Sequence, residues 1–149
     1  MRIVHLIACG LTVTLAACSE PELTSPTSPT TTATTTTAAA AAPTVTDTFN
    51  ATVPVGGYTF YSFTVTVYGT VNVTLNTVQG QFVPATVMLG VGLGTPSAED
   101  CVTSASVTTA AGSAVHVTQT LNPGVYCARV HDIGNLFAPA SVNVTVAYP

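Results

Sequence analysis

The sequence has very few charged residues and no lysine. Charged residues make up 5% of the chain, against about 25% in an ordinary globular protein, and Arg2 and Arg129 are its only strongly basic side chains. Nucleic-acid binding needs a basic patch, and electrostatic docking onto anionic lipid needs clustered cations. Both kinds of partner are therefore excluded, and solubility must come from hydroxyl and amide groups.

The motifs of common catalytic and metal sites are also missing. The serines have no Gly-x-Ser-x-Gly context that would expose a nucleophile, and for paired-carboxylate chemistry only the acidic pair at 99–100 is adjacent, while Asp132 lies far along the chain. The Gly90-x-Gly92-x-Gly94 run does not open a helix and so does not indicate a phosphate loop. No His-x-x-His or second cysteine pair indicates a metal site. We expect a protein without catalytic activity, cofactor or metal.

No apolar run is long enough to span a bilayer. Spanning needs about 20 consecutive apolar residues, whereas the run at 3–17 is shorter and is interrupted by polar residues. Its position after Arg2 and before small residues is typical of a secretory signal peptide. It ends in Leu15-Ala16-Ala17-Cys18, which resembles the lipobox of bacterial lipoprotein signal peptides. The resemblance implies that residues 1–17 are removed and that Cys18 is lipidated, with palmitate among its acyl chains, and becomes the new N-terminus.

The alternative is an ordinary secretory signal in which a cysteine falls near the cleavage point by chance. Cys9 fits the same loose pattern, but cleavage there would leave almost no apolar segment. The resemblance places the protein in the bacterial cell envelope, exported and held by lipid. Because Ser19 rather than Asp follows the cysteine, it favours the outer membrane or cell surface over the inner membrane.

Residues 18–43 are predicted to be a disordered linker. Thr, Ala, Pro and Ser dominate this segment, so it cannot bury enough apolar surface to offset the entropy of ordering. A flexible coil of this length spans roughly 25 to 30 Å. We interpret it as a stalk that lifts a domain from a lipid surface, with O-glycosylation of its threonines as an alternative role.

Residues 44–149 are predicted to form one all-β domain. Val, Thr, Phe and Tyr dominate its segments, which are broken every eight to twelve residues by Gly, Pro or Asn, and no segment has a helical period. This pattern is typical of an antiparallel β-sandwich, jelly-roll-like or Ig-like, with about seven or eight strands.

Apolar residues with a period of two place the individual strands. The first strand is expected over 47–53, ahead of the Gly56-Gly57 turn. Six further stripes are Tyr61, Phe63, Val65 and Val67; Val71, Val73 and Leu75; Val87, Leu89, Val91 and Leu93; Val115, Val117 and Leu121; Tyr126, Ala128 and Val130; and Val142, Val144 and Val146.

The segment Asn122-Pro123-Gly124 is predicted to be a hairpin turn. Both flanking stripes must face the core, which fixes the parity of the register. Val117 would then lie opposite Ala128, with His116 opposite Arg129 and Thr118 opposite Cys127 on the outer face.

This register predicts a single polar cluster. His116, Arg129, His131 and Asp132 would lie together, with the acidic pair at 99–100 close by. The cluster could bind an anion or a metal, but alternate positions on a flat exposed sheet rarely create the concave pocket that ligand sites need. We therefore favour a few solvated charges on a Thr-rich sheet.

Two cysteines are predicted to form a disulfide. With Cys9 removed and Cys18 lipidated, Cys101 and Cys127 remain in a chain that passes through an oxidising compartment. The bridge would connect the segment at 96–100, expected to be irregular, to the strand that contains Cys127. A two-thiol metal site is the alternative, but it lacks further ligands.

Three short motifs match the acceptor pattern for N-glycosylation. They are Asn50-Ala51-Thr52, Asn72-Val73-Thr74 and Asn143-Val144-Thr145. In a Thr-rich chain with a bacterial type of signal, we interpret these matches as chance.

Two segments are similar to a known family. Gly57-Tyr58-Thr59-Phe60-Tyr61-Ser62-Phe63-Thr64-Val65 and Leu121-Asn122-Pro123-Gly124-Val125-Tyr126-Cys127-Ala128-Arg129-Val130 resemble the bacterial pre-peptidase C-terminal domain, and the likeness covers most of 45–148. The resemblance implies an antiparallel β-sandwich of the kind appended to secreted peptidases, where it assists export or substrate binding. No peptidase accompanies the domain here, and the acidic calcium-binding loop of some relatives has no match.

These observations predict a non-catalytic envelope lipoprotein that presents a binding or adhesion module on a flexible stalk. The membrane would be one partner, through the N-terminal lipid, and the domain would bind a glycan or an envelope protein. The alternatives are a purely structural envelope component, an accessory domain for a secreted hydrolase, and an enzyme with an unrecognised site.

Overall fold

The computed structural model describes residues 37–149, which form two four-stranded sheets packed face to face. The eight strands are β1 (Val45–Val53), β2 (Tyr58–Val65), β3 (Gly69–Gln79), β4 (Leu89–Ser97), β5 (Asp100–Thr109), β6 (Val117–Leu121), β7 (Gly124–His131) and β8 (Ala140–Tyr148). The predicted all-β sandwich is confirmed. The predicted signal peptide, Cys18 and most of the predicted linker lie outside the described residues.

The strands alternate between the sheets. The first sheet has the order β1-β8-β3-β6 and the second has the order β2-β7-β4-β5, with every pair of neighbouring strands antiparallel. Within residues 37–149, β4 and β5 are the only consecutive strands that pair in one sheet, and every other connection crosses between sheets. Over the same range, no helix is long and apolar enough to cross a membrane.

The predicted hairpin at Asn122-Pro123-Gly124 is wrong. Strand β6 pairs with β3, where Val117 lies opposite Val73, while β7 pairs with β2 and β4, where Ala128 lies opposite Leu93. The connection between β6 and β7 therefore carries the chain from one sheet to the other. Two apolar stripes also face a common core when their strands lie in opposite sheets, so parity could not distinguish the two arrangements.

Valine and leucine side chains from both sheets fill the core. Leu75, Leu89 and Leu93 are its largest fully buried members, as the period-two stripes predict. Two predicted stripe members are exceptions: Val67 is 49% exposed and Val115 is 50% exposed. Both lie outside strands, because β2 ends at residue 65 and β6 begins at residue 117.

Strand β5 was not predicted, and the segment at 96–100 is not irregular. Ser97 pairs with Asp100 across a two-residue turn, so this segment is the tip of the β4–β5 hairpin. Strand β5 lies at the edge of the second sheet, and its apolar residues Val102 and Val107 are exposed. Its sequence therefore lacks the apolar stripe of a strand that covers a core.

The hairpin tip folds over the outer face of the second sheet. A shift of register after Leu93 bends the hairpin, and the hydroxyl of Tyr58 on β2 donates to the carbonyl of Glu99 at the tip (3.3 Å). The predicted disulfide between Cys101 and Cys127 is present beneath the tip, and both cysteines are fully buried. Closing a loop of 26 residues contributes about 3.5 kcal/mol to stability in the chain-entropy treatment.

Three glycines of β4 make room for this covering layer. Gly90, Gly92 and Gly94 alternate along β4 on its outer face, the face that carries Arg129 and His131 on β7. A Cβ atom at these positions would meet, in turn, the ring of His131, the side chain of Thr103 and the carbonyl oxygen of Val102. The Gly-x-Gly-x-Gly run thus serves packing.

The two ends of the sandwich differ. The chain joins the domain at one end, here called the proximal end, where Ala41 N donates to Tyr68 O (3.0 Å) and Thr44 N donates to Tyr148 O (3.0 Å). Hydrogen bonding therefore begins within the segment assigned to the linker. The connections at 54–57, 80–88 and 132–139 lie at the opposite, distal end.

Candidate functional site

Arg129 is enclosed between β2 and the hairpin tip. Its guanidinium carbon lies 4.1 Å from the ring centroid of Tyr58, and its Nη1 atom lies 3.6 Å from the carboxylate of Asp100 and donates to the carbonyl of Cys101 (3.4 Å). Its Nε atom is buried without a partner. Because these contacts all hold the tip against the sheet, the side chain has a structural role.

His131 lies flat against the backbone of β4. Its ring occupies the space beside Gly90, and its Nδ1 atom is buried without a hydrogen-bond partner. Burial, followed by the positive charge of Arg129, lowers the pKa of His131, while Asp132 opposes that shift. The ring is therefore neutral at pH 7.

The carboxylate of Asp132 is occupied by backbone groups. Its Oδ1 atom accepts from the N–H groups of Gly134, Asn135 and Leu136 (2.9, 2.8 and 3.1 Å), and its Oδ2 atom accepts from Gly56 N (2.8 Å). Burial would raise the pKa of Asp132, but these four hydrogen bonds together lower it. Asp132 thus joins the β1–β2 turn to the β7–β8 connection.

His116 does not join these residues. The Nδ1 atom of His116 accepts from the backbone N–H of Leu75 (3.1 Å), and the backbone N–H of His116 donates to Val73 O (3.0 Å). His116 therefore lies beside β3, in the first sheet. The predicted proximity to Arg129 depended on the β6–β7 hairpin and is wrong. A ligand site made by Arg129, His131 and Asp132 stays a prediction, and residues 37–149 contain no group of three or more metal-ligating side chains.

Asp47 is also held by structural partners. It accepts from the hydroxyls of Tyr61 (3.0 Å) and Tyr148 (2.7 Å) at the side of the sandwich where β1 and β2 meet. These hydrogen bonds raise the pKa of Tyr61, and they raise the pKa of Tyr148 to about 12. Phe49 stacks on Tyr61 with ring centroids 5.1 Å apart. The carboxylate of Asp47 therefore holds these aromatic side chains in place along the side of the sandwich.

The outer face of the first sheet is a broad polar surface without charge. The side chains that alternate outward along β1, β8, β3 and β6 are almost all hydroxyls and amides. We call this surface the polar face. It comprises Thr48, Asn50, Thr52, Thr70, Asn72, Thr74, Thr77, Gln79, Thr118, Thr120, Ser141, Asn143 and Thr145 together with the bulged Asn76.

Hydrogen bonds connect the polar face across its strands. Asn143 Nδ2 donates to Asn50 Oδ1 (2.8 Å), and Asn76 Nδ2 lies 2.7 Å from both Asn143 Oδ1 and Thr145 Oγ1. Thr145 in turn lies 3.3 Å from the hydroxyl of Thr48. These hydrogen bonds fix the orientation of the amide side chains, so their remaining donors and acceptors point to solvent in a fixed pattern.

A depression lies within the polar face next to these amides. It encloses about 240 Å³ and is lined by Asn50, Thr52, Thr77, Gln79 and Asn143, among others. A second depression of about 270 Å³ adjoins it across residues 77 and 79. Strand β3 shifts register between Leu75 and Thr77, which leaves Asn76 extra. Asn76 lines the second depression, and Thr77 next to it lines both.

This surface was not predicted from the sequence, although the sequence contains a signal for it. The three Asn-x-Thr motifs interpreted as chance fall on β1, β3 and β8, all in the first sheet. Residues two apart on a strand share a face, so each motif places an amide and a hydroxyl side by side on the polar face. Recognising the pattern required knowing that the three strands are neighbours, since β1 and β8 pair across most of the chain.

No protein-family model matches the chain, and no curated protein is similar to it at a significant level.

Proposed function

We propose that the chain is a non-catalytic lipoprotein of the bacterial cell envelope whose β-sandwich is a binding module on a flexible stalk, and that its ligand is a glycan. The anchor would be the lipid on Cys18, at the outer membrane or cell surface. The binding surface would be the polar face.

The polar face carries this proposal. Sugars present closely spaced hydroxyls, which pair with amides and hydroxyls without requiring charge. The depression beside Asn50 and Asn143 holds about 240 Å³, below the range of about 300 to 1,000 Å³ typical of small-molecule sites. It is therefore of a size for one sugar unit of a longer chain that runs along the sheet.

The state of the acidic groups supports a role without catalysis. Asp47, Asp100 and Asp132 are each engaged by tyrosines, by Arg129 or by backbone N–H groups. The remaining acidic side chain within residues 37–149, that of Glu99, lies at the hairpin tip of the second sheet and not on the polar face. A general acid or base must be free to reach a substrate proton. The depression itself is lined only by neutral side chains.

The test is capture of the purified full chain on insoluble cell-wall polysaccharide and on a glycan array. Thr52→Val and Gln79→Ala remove exposed groups that line the depression and that make no side-chain hydrogen bonds within residues 37–149. We expect either change to weaken capture by about fivefold to tenfold, which corresponds to the loss of one hydrogen bond.

Thr64→Val is the matched control, because Thr64 is an exposed threonine on β2, in the other sheet. It should bind like the unmodified chain. If no polysaccharide captures the protein, or if all three variants bind alike, the polar face is not a glycan site and a purely structural envelope component becomes the better reading.

A further inference from the structure

The distal end exposes large apolar side chains on adjoining connections. Phe82, in the 80–88 connection, is 82% exposed, and Phe137, in the 132–139 connection, is 91% exposed, the two highest values among the exposed large hydrophobic side chains. Val55 and Ile133 at the same end are 52% and 42% exposed. Apolar groups presented together in this way indicate an interaction surface.

These connections are held together and fixed to the domain. Asp132 joins the 132–139 connection to the 54–57 turn, and Asn135 Nδ2 donates to Met88 O (3.2 Å) in the third connection. Leu136, next to Phe137, is buried in the core. Phe82 adopts a φ of 64°, a conformation unusual for an aromatic residue. The backbone next to Phe137 is therefore anchored, and the connection that carries Phe82 is tied to it at Met88.

The distal end has almost no charge to attract or repel a partner. The three connections that carry these apolar side chains contain one ionisable side chain, that of Asp132, whose carboxylate accepts from four backbone N–H groups. The described chain enters the domain at the opposite, proximal end, through the hydrogen bonds of Ala41 and Thr44.

The size and shape of the patch favour a lipid surface over a second copy of the chain. Two phenylalanine rings present roughly 300 to 400 Å², whereas a stable interface buries about 800 Å² on each partner. Separate projecting tips fit poorly against a flat protein surface, but they can enter the fluid interface of a bilayer without complementary shape.

We propose that the distal end inserts Phe82 and Phe137 into the interface of a phospholipid bilayer, without help from electrostatic attraction. This binding is independent of the lipid on Cys18 and of the polar face. It would give the domain a second contact with lipid, at the end opposite Ala41 and Thr44.

The natural absence of tryptophan provides a direct test. The chain contains none, so Phe137→Trp introduces a single fluorophore at the tip. The full chain would carry Cys18→Ser, which removes the acyl chains. With phosphatidylcholine vesicles, we expect emission to shift to shorter wavelength and to be quenched by brominated acyl chains. Because no cation lies in these connections, the signal should be unchanged by salt or by added phosphatidylglycerol.

Val125→Trp in the same Cys18→Ser chain is the matched control. Val125 is 54% exposed and lies at the start of β7, at the proximal end, so its tryptophan should show neither shift nor quenching. An unquenched tryptophan at 137 would overturn the proposal. A shift that grows with protein concentration before vesicles are added would also overturn it, because a second copy would then cover the tip.

A second measurement removes the rings. Phe82→Asn combined with Phe137→Asn keeps a residue type that tolerates the positive φ at 82. We expect vesicle flotation to weaken by about tenfold for each ring removed, since burial of a phenyl ring contributes at least that factor. Val67→Asn with Val125→Asn at the proximal end should float like the parent chain. Equal flotation of the two double variants would contradict insertion at the distal end.

Discussion

At the scale of single residues, most of the few charged side chains of this protein hold neighbouring structural elements together. Among residues 37–149, four of the five residues with formal charge engage a named partner through the side chain, and Glu99 is the exception. Asp132 shows this most clearly, since one carboxylate accepts hydrogen bonds from four backbone N–H groups. Charge here serves loop geometry more than solubility.

Asp132→Ala should reduce the free energy of unfolding by about 1 to 3 kcal/mol near pH 7, because backbone donors lose an ionised acceptor. The pKa of Asp132 is lowered in the folded protein. Its contribution is therefore complete above the unfolded value of about 3.9 and is lost as the pH falls through the lower folded value. Guanidinium unfolding of both chains should show a large difference at neutral pH and a smaller one near pH 2.

Asp132→Asn is the control for this prediction, because it keeps an acceptor oxygen and removes the charge. Its stability should lie between those of the other two chains at neutral pH. A difference between the parent and the alanine variant that does not change with pH would show that the charge of Asp132 contributes nothing.

The disulfide could be predicted from the sequence, whereas the polar face could not. Cys101 and Cys127 could be paired by elimination in an exported chain, and they are paired. The polar face could not be assembled in the same way, because Asn50 and Asn143 are 93 residues apart and meet only through strand order. The sequence shows the Asn-x-Thr motif at each of these two residues, but it does not show that the two residues are neighbours.

At the scale of elements, apolar alternation located most strands but not their partners. The stripes of β3, β4 and β8 correspond to buried residues, because a strand that covers a core must alternate. The pairing of β6 could not be inferred, since a short turn permits either a hairpin or a crossing between sheets. Strand β5 was not predicted because its valines face solvent at a sheet edge and form no apolar stripe.

Strand β4 provides a test of the covering layer. Gly94→Ala should reduce the free energy of unfolding by about 1 to 3 kcal/mol, the usual cost of overpacking, because the new methyl group would meet the backbone carbonyl of Val102. Gly112→Ala is the matched control, since its methyl group would enter open space, and it should stay within about 0.5 kcal/mol of the parent. Thermal or denaturant midpoints provide the measurement, and equal stability of the two variants would mean that the hairpin tip does not press on β4.

At the scale of the whole molecule, the two ends and the polar face divide the surface into regions of different chemistry. The proximal end receives the chain, the distal end presents apolar rings, and the polar face runs along one side. A partner is proposed for each region: the stalk for the proximal end, a lipid interface for the distal end and a glycan for the polar face. The assignments are separable, because the variants that test them lie on different elements.

The anchor is tested on the protein from its native source. Mass spectrometry of the mature N-terminus should find acylated Cys18, because the segment at 15–18 resembles a lipobox. Cys18→Ser, combined with Phe82→Asn and Phe137→Asn to remove the proposed distal contact with lipid, should move the protein from the membrane fraction to the soluble fraction, while the Cys101–Cys127 disulfide still forms. An unmodified N-terminus at another residue would show an ordinary secretory signal and would remove the lipid anchor from the proposal.

The pairing of β1 with β8 has a mechanical consequence. Tension on the chain ahead of Val45 first meets the bridge between Ala41 and Gly69, and it then acts along β1 toward the proximal end. If the domain is held at its polar face, the load runs parallel to the strand. The pairs from Val45–Tyr148 to Val53–Ala140 then share the force in shear instead of opening one after another. Under such a load, the domain resists unfolding through its longest continuous ladder.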